Sequence, residues 1–133
     1  DPDDPVYAIC REAQVVLERE RDARGRAFEV HRVHQPGPLF MQEDESVGLS
    51  YSRSAKPRPP GERLAGSYIN FYIANGGVVM PLFGDPHDAA ALETVQACFP
   101  ERKVVGVSAR EVLLGGGNIH CITQQQPQIS KRS

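Results

Sequence analysis

A chain of 133 residues has room for one domain or part of one, and not for two. Lys and Arg total 15 against 17 Asp and Glu, a formal charge of -2, which excludes the strong basic excess of a dedicated nucleic-acid binder. No run approaches the roughly 18 apolar residues that span a bilayer, and the opening DPDDP does not read as a signal peptide, so no membrane partner is expected.

From Pro5 to about Ala23, Val6, Ile9, Ala13, Val16 and Leu17 recur at helical spacing between charged residues. The spacing predicts a helix with Pro5 in its first turn and Gly25 as its stop. AFEVHRVHQPG then alternates Phe28, Val30 and Val33 with polar residues, predicting a strand of about six residues that ends at Pro36-Gly37. Residues 35–66 are rich in Pro and Gly and keep no period, so a long irregular connection is expected, of the kind that often serves as a lid or binding loop. Its basic residues, among them Lys56 and Arg58, read as solvated loop.

Periodicity returns at Ser67. Tyr68 to Ile73 predicts an aromatic and β-branched strand, Asn75-Gly76-Gly77 a tight turn, and Val78 to Leu82 a second strand. In GDPHDAAALETVQACF, Asp85 is a candidate cap and Pro86 a first helical residue, with Ala89, Leu92, Val95, Gln96 and Phe99 along the helix and Pro100 ending it. Lys103–Val107 predicts a third strand, Ser108–Leu114 a short helix broken by Gly115 to Gly117, and Asn118–Thr123 a final strand. The expected class is α+β. The divisions are 1–34 (helix, then strand), 35–66 (irregular loop), 67–127 (a strand-strand-helix-strand module) and 128–133 (a polar tail that frays).

The most unusual stretch is three glycines followed by Asn118-Ile119-His120-Cys121. Glycines let backbone approach another group closely and adopt conformations that other residues resist. A thiol just beyond such a loop can face a ligand walled by the loop, an arrangement for nucleophilic attack on an electrophilic carbon. The same spacing also fits a simple turn beside a small buried cysteine. In a strand, His120 and Cys121 would point to opposite faces, so His120 is expected to pack or to shape the loop. His31, His34 and His87 have no metal-ligand spacing, and no metal site is expected. Cys10 and Cys98 are expected to be inert packing. Three cysteines with no C-x-x-C suit a reducing cytosol, so a cytoplasmic location is expected.

The run from SYINFYIANGGVVMPLFGDPHDAAALETVQACF to the closing GGGNIHCITQQQP closely resembles the C-terminal part of the family of agmatine deiminases and Porphyromonas-type peptidylarginine deiminases, and the likeness extends back to DPDDP. The resemblance implies a pentein fold, an α/β propeller of ββαβ modules around a pseudo-fivefold axis, of which this chain holds about two of five. It implies a cysteine nucleophile at Cys121 that attacks a guanidinium carbon, expels ammonia and passes through an amidino-cysteine intermediate hydrolysed by water. Gly115, Gly116 and Gly117 would line the guanidinium pocket. The implied reaction takes agmatine and water to N-carbamoylputrescine and ammonia, a step of putrescine and polyamine metabolism. No cofactor is implied, because a held guanidinium is already electrophilic. The alternatives are a deiminase of peptidyl or free arginine, and a non-catalytic structural or interaction module.

Members of the family are longer, and their catalytic histidine and further carboxylates lie in earlier stretches, one of G-H-x-D type. No G-H-x-D occurs here, and Glu43, Asp44 and Glu45 do not match the family's acids. The chain is therefore expected to be a fragment, inactive alone, whose partners are the guanidinium substrate and the remainder of the enzyme chain. Apolar edges exposed by cutting a fan of modules predict self-association, so a homo-oligomer is expected.

Overall fold

The computed structural model describes residues 2–48 and 58–128. The predictions for 49–57, which include Arg53 and Lys56, and for the tail from 129 lie outside the described residues. The chain divides into two compact units, Asp1–Arg32 and Val33–Ser133.

The first unit is built on α1 (Pro5–Arg19). Asp4 caps it by accepting the Val6 N–H at 2.8 Å, and Pro5 occupies the first turn, where its missing N–H costs nothing. The helix ends at Glu20, short of Gly25. Asp22 then gathers the Arg24 and Arg26 N–H groups, each at 2.9 Å, and Gly25 turns the chain at φ +76. The strand expected over 28–33 is absent. An isolated bridge, Arg21 with Ala27, is the nearest approach to one. Alternation supplies a face but not a partner, and among the described residues no strand pairs with this segment.

The second unit holds a three-stranded sheet in the order β1-β2-β3. β1 (Tyr72–Ile73) runs antiparallel to β2 (Gly77–Leu82), with Tyr72 opposite Val79. The turn between them closes through Ala74 N–H to the Gly77 carbonyl at 2.8 Å, as the Asn-Gly signal predicts. β2 then pairs in parallel with β3 (Lys103–Ser108), and the crossover carries the helix that a parallel connection requires. The first strand is far shorter than Tyr68–Ile73: Tyr68 and Ile69 form a turn, and the Asn70 carbonyl accepts the His120 N–H instead of a ladder bond.

Two further helices precede the crossover's end. In the expected loop, Glu43–Val47 forms α2, with Glu45 reaching back to the Gln42 N–H at 2.8 Å. The loop is also pinned by Met41 N–H to Glu62 carbonyl and Leu64 N–H to Leu39 carbonyl, so its described ends are ordered by long-range pairing that no local period announces. The crossover helix, α3, spans Asp88–Cys98, two residues later than the Asp85-Pro86 signal suggests. Asp85 accepts from Gly37 and His87 N–H in the turn before the helix.

The main core packs α3 on the sheet: Tyr68, Val78, Met80, Ala91, Val95 and Val104 are buried together. Gln96 ties the α3–β3 loop by donating to the Phe99 and Arg102 carbonyls and accepting from Val104 N–H. A second cluster places Met41 and Leu64 against Leu113 and Leu114 of α4 (Arg110–Leu114), and Phe83 touches both clusters. Asp88 is the polar pin between sheet and helix. Its carboxylate accepts from the Tyr68 hydroxyl at 2.6 Å and from the Gly84 N–H at 2.9 Å. Tyr68 is 1% exposed, and burial first, then its hydrogen bond to Asp88 and the Asp88 charge, hold its phenol protonated well above the usual range. Asp88→Ala would strand a buried hydroxyl beside the unpaired Gly84 N–H. We expect a loss on the order of 3 kcal/mol in denaturant unfolding, against under about 1 kcal/mol for Asp88→Asn if its amide oxygen keeps the acceptor role.

Candidate active site

The glycine loop follows directly from α4. Leu113 and Leu114 are buried in the second cluster, which anchors the loop's start, and Gly115 and Gly116 N–H groups close the last turn on the Val112 and Leu113 carbonyls. Gly116 sits at φ +93, a conformation that side chains resist. The Arg58 guanidinium lies against it: a Cβ there would come 1.6 Å from Arg58 Nη2. Arg58 is thus packed on the loop, not simply solvated as the composition of 35–66 suggests. At Gly117 a Cβ would stand 2.9 Å from the Cys121 Cβ and 3.6 Å from its Sγ, so the missing side chain keeps the thiol clear.

Beyond the loop the expected strand Asn118–Thr123 is not formed. His120–Ile122 is a short 3-10 helix, closed by Thr123 N–H to the His120 carbonyl at 3.0 Å. His120 and Cys121 therefore do not diverge across a strand, and His120 Nε2 lies 3.4 Å from Gln125 Nε2. The turn is held from below by two asparagines. Asn118, 1% exposed, donates to the Ser67 carbonyl at 3.3 Å and accepts from Ile119 N–H at 2.8 Å. Asn70 accepts from His120 N–H at 2.9 Å and donates to Cys121 Sγ at 3.5 Å.

Cys121 is exposed, and its thiol is held below the ordinary range, chiefly by the Asn118 backbone and next by the Asn70 side chain, with desolvation opposing. Cys10 and Cys98 are exposed too, so they are not packing residues as expected; what sets Cys121 apart is its hydrogen bonding. Asn70 gives no signal in the sequence, because it sits inside an apolar run that reads as strand.

The remaining sequence candidates lie elsewhere. Glu45 pairs with Arg110, its Oε1 2.6 Å from Nε, which lowers its carboxyl below the usual range. With Asp44, Glu111 and Gly115 it lines an open cleft of about 440 Å³ that does not include Cys121. His34 and His87 stack on each other at 3.6 Å, and His87 Nδ1 meets Asp85 at 2.8 Å. Within the second unit no described histidine ring or carboxylate hydrogen-bonds Cys121; among the described residues no group of three or more potential ligands could hold a metal, and no helix is long and apolar enough to cross a membrane.

These elements are those of an enzyme family. The profile of the Porphyromonas-type peptidyl-arginine deiminases matches residues 1–127, and the chain belongs to that family. Within it the chain is 55% identical over 131 residues to the agmatine deiminase of Pseudomonas aeruginosa, covering 98% of this chain and 36% of that one. It is 54% identical over 127 residues to the agmatine deiminase of Pseudomonas fluorescens, covering 96% and 34%. The solved agmatine deiminase of Enterococcus faecalis superposes with a TM-score of 0.86 at 41% identity, over 96% of this chain and 35% of that structure, so the mixed α/β fold is shared. The chain spans about a third of the length of these relatives.

Proposed function

We propose that this sequence is the nucleophile-bearing part of an agmatine deiminase, and that Cys121 is the nucleophile. The observation that carries the reading is an exposed thiol, drawn toward its thiolate, beside a glycine loop that leaves its approach open. In the reaction the Cys121 sulfur bonds to the guanidinium carbon of agmatine. The carbon–nitrogen bond to a terminal amino group breaks, and that nitrogen leaves as ammonia after taking a proton. Water then adds to the S-linked amidino carbon and frees the thiolate, leaving N-carbamoylputrescine. Backbone of Gly115 to Gly117 lines the guanidinium pocket, while the histidine and carboxylates that move protons and grip the cation come from the rest of the enzyme. The guanidinium carbon is electrophilic without a cofactor once it is held. Two of five pentein modules, a homo-oligomer and a cytoplasmic, polyamine-related role belong to the same reading.

A second reading, deimination of peptidyl or free arginine, is favoured by the family's description. Agmatine lacks the carboxylate or amide that arginine carries, so the two are separated by substrate. Full-length enzyme assayed for ureido product from agmatine, arginine and a blocked arginine peptide should turn over agmatine best. Equal or better turnover of either arginine substrate overturns the assignment.

A further inference from the structure

Three consecutive glycines have no side chains with which to pack, so Gly115 to Gly117 must be held from outside if their backbone is to wall a pocket. The loop's start hangs on Leu113 and Leu114 in the second core cluster, and its end on Asn118, which is buried and hydrogen-bonded. Its middle glycine is held by neither. There the Arg58 guanidinium fills the space that a side chain would take: a Cβ on Gly116 would come 1.6 Å from Nη2 and 2.2 Å from Cζ. α4 has no basic residue in its last turn, so Arg58 brings from a distant segment the cation that favours the carbonyl end of a helix.

Arg58 is itself placed by α2. The buried Ser46 donates its hydroxyl to the Arg58 carbonyl at 3.2 Å. Beside it, Glu45 takes Arg110, the first residue of α4, in a two-pronged pair, Oε1 to Nε at 2.6 Å and Oε2 to Nη2 at 3.0 Å. The same Nη2 donates to the Phe40 carbonyl at 3.0 Å. The connection before β1 thus grips α4 at both ends, at its first residue through Glu45 and just past its last through Arg58.

We propose that Arg58 is the positioning residue of the glycine loop, its guanidinium seated where Gly116 lacks a side chain so that the loop backbone keeps the shape of the guanidinium pocket. The proposal deepens the reading of Gly115 to Gly117 as pocket wall and rests on it. A planar guanidinium fills a thin seat and presents a fixed fork of donors, and an ammonium does neither. A merely stabilising Arg58 would hold the fold and leave turnover indifferent to whether its seat at Gly116 is open.

A double-mutant cycle separates these roles in the full-length enzyme that carries these residues, assayed on whichever of agmatine and arginine it turns over better. Arg58→Ala should lower kcat/KM about a hundredfold with the circular dichroism unchanged, and Arg58→Lys, which keeps the charge but not the fork, about tenfold. Gly116→Ala should cost at least as much as Arg58→Ala, because its Cβ evicts the guanidinium and meets φ +93. With the seat blocked Arg58 has nothing left to position, so adding Arg58→Ala to Gly116→Ala should cost no more than about threefold further. Folded Arg58→Ala within about threefold of the parent, or costs that simply multiply in the double variant, overturn the proposal, and Arg58→Lys within about threefold does so if Arg58→Ala does not fold. A fall in KM in Arg58→Ala overturns it as well, since the guanidinium would then have been occupying the substrate's seat. The pocket-wall reading fails by a different sign, Gly116→Ala that keeps kcat/KM near the parent value, and the nucleophile reading by Cys121→Ser that retains turnover.

Discussion

Purified by itself, the 133-residue chain is expected to release no ammonia from agmatine, even when folded and with the Cys121 thiol held below its ordinary range. In the proposed reaction the thiolate is only the attacking group. Departure of ammonia needs a proton donor, and the hydrolytic water needs a base. Three ordered carboxylates near the sheet and α4 are engaged elsewhere. Glu45 is paired with Arg110, Asp88 serves Tyr68 and the Gly84 N–H, and Asp85 serves Gly37 and His87. The imidazoles of His34 and His87 are stacked on each other. Among the described residues of the second unit no carboxylate is hydrogen-bonded to Cys121, and positioning can supply about 7 kcal/mol of a barrier, roughly a factor of 10⁵ in rate. Ammonia release should therefore stay at the uncatalysed level and return when the polypeptide carrying the family's G-H-x-D stretch is added. Turnover by the chain alone within about tenfold of a full-length relative would show that the division of labour is wrong. Absence of turnover that no addition restores would favour a non-catalytic module.

The second large effect is expected at Gly117. A Cβ there would lie 2.9 Å from the Cys121 Cβ, a separation that real side chains do not adopt. The obstacle is not the free end of a long side chain. It is the Cβ of a residue held in a 3-10 turn whose His120 N–H is bonded to Asn70, so relief requires the turn to shift. A displacement of about 1 Å at a reacting atom can cost about a hundredfold. Gly117→Ala, tested in the complemented assembly, should lower kcat by about that factor, while the core of α3 on the sheet, which the loop does not enter, keeps the chain folded. Gly48→Ala is the control, since its φ is ordinary and its Cβ would meet only the Glu45 and Asp44 carbonyls, at 3.6 and 3.9 Å. Gly117→Ala turnover within about threefold of the parent would mean that the glycine does not guard the thiol.

Much of the second unit was legible from local chemistry. The Asn75-Gly76-Gly77 turn, β2, α3 and β3 follow from alternation, a turn signal and helical spacing, because each is short-range in the chain and buries one face. α1 was equally legible from its period and its Asp4-Pro5 start. Cys121 stood out beside its three glycines, although that spacing fits a simple turn as well.

The sequence by itself determined which residues are apolar, which turns can form and where a reactive thiol could stand. Tertiary structure decided the rest. The predicted strand at 28–33 has no partner and is not formed, because a strand exists only as half of a ladder. The strand predicted at Asn118–Thr123 became a 3-10 turn, because Asn70, fifty residues earlier, claims the His120 N–H that a ladder would have used. The same long-range bond brings an amide donor to the sulfur, and Arg58 reaches Gly116 across a comparable span. Such contacts leave no mark in any local window. They depend on which distant backbone groups remain unpaired once the core has closed, and a buried polar group must find its partner wherever the fold has put one.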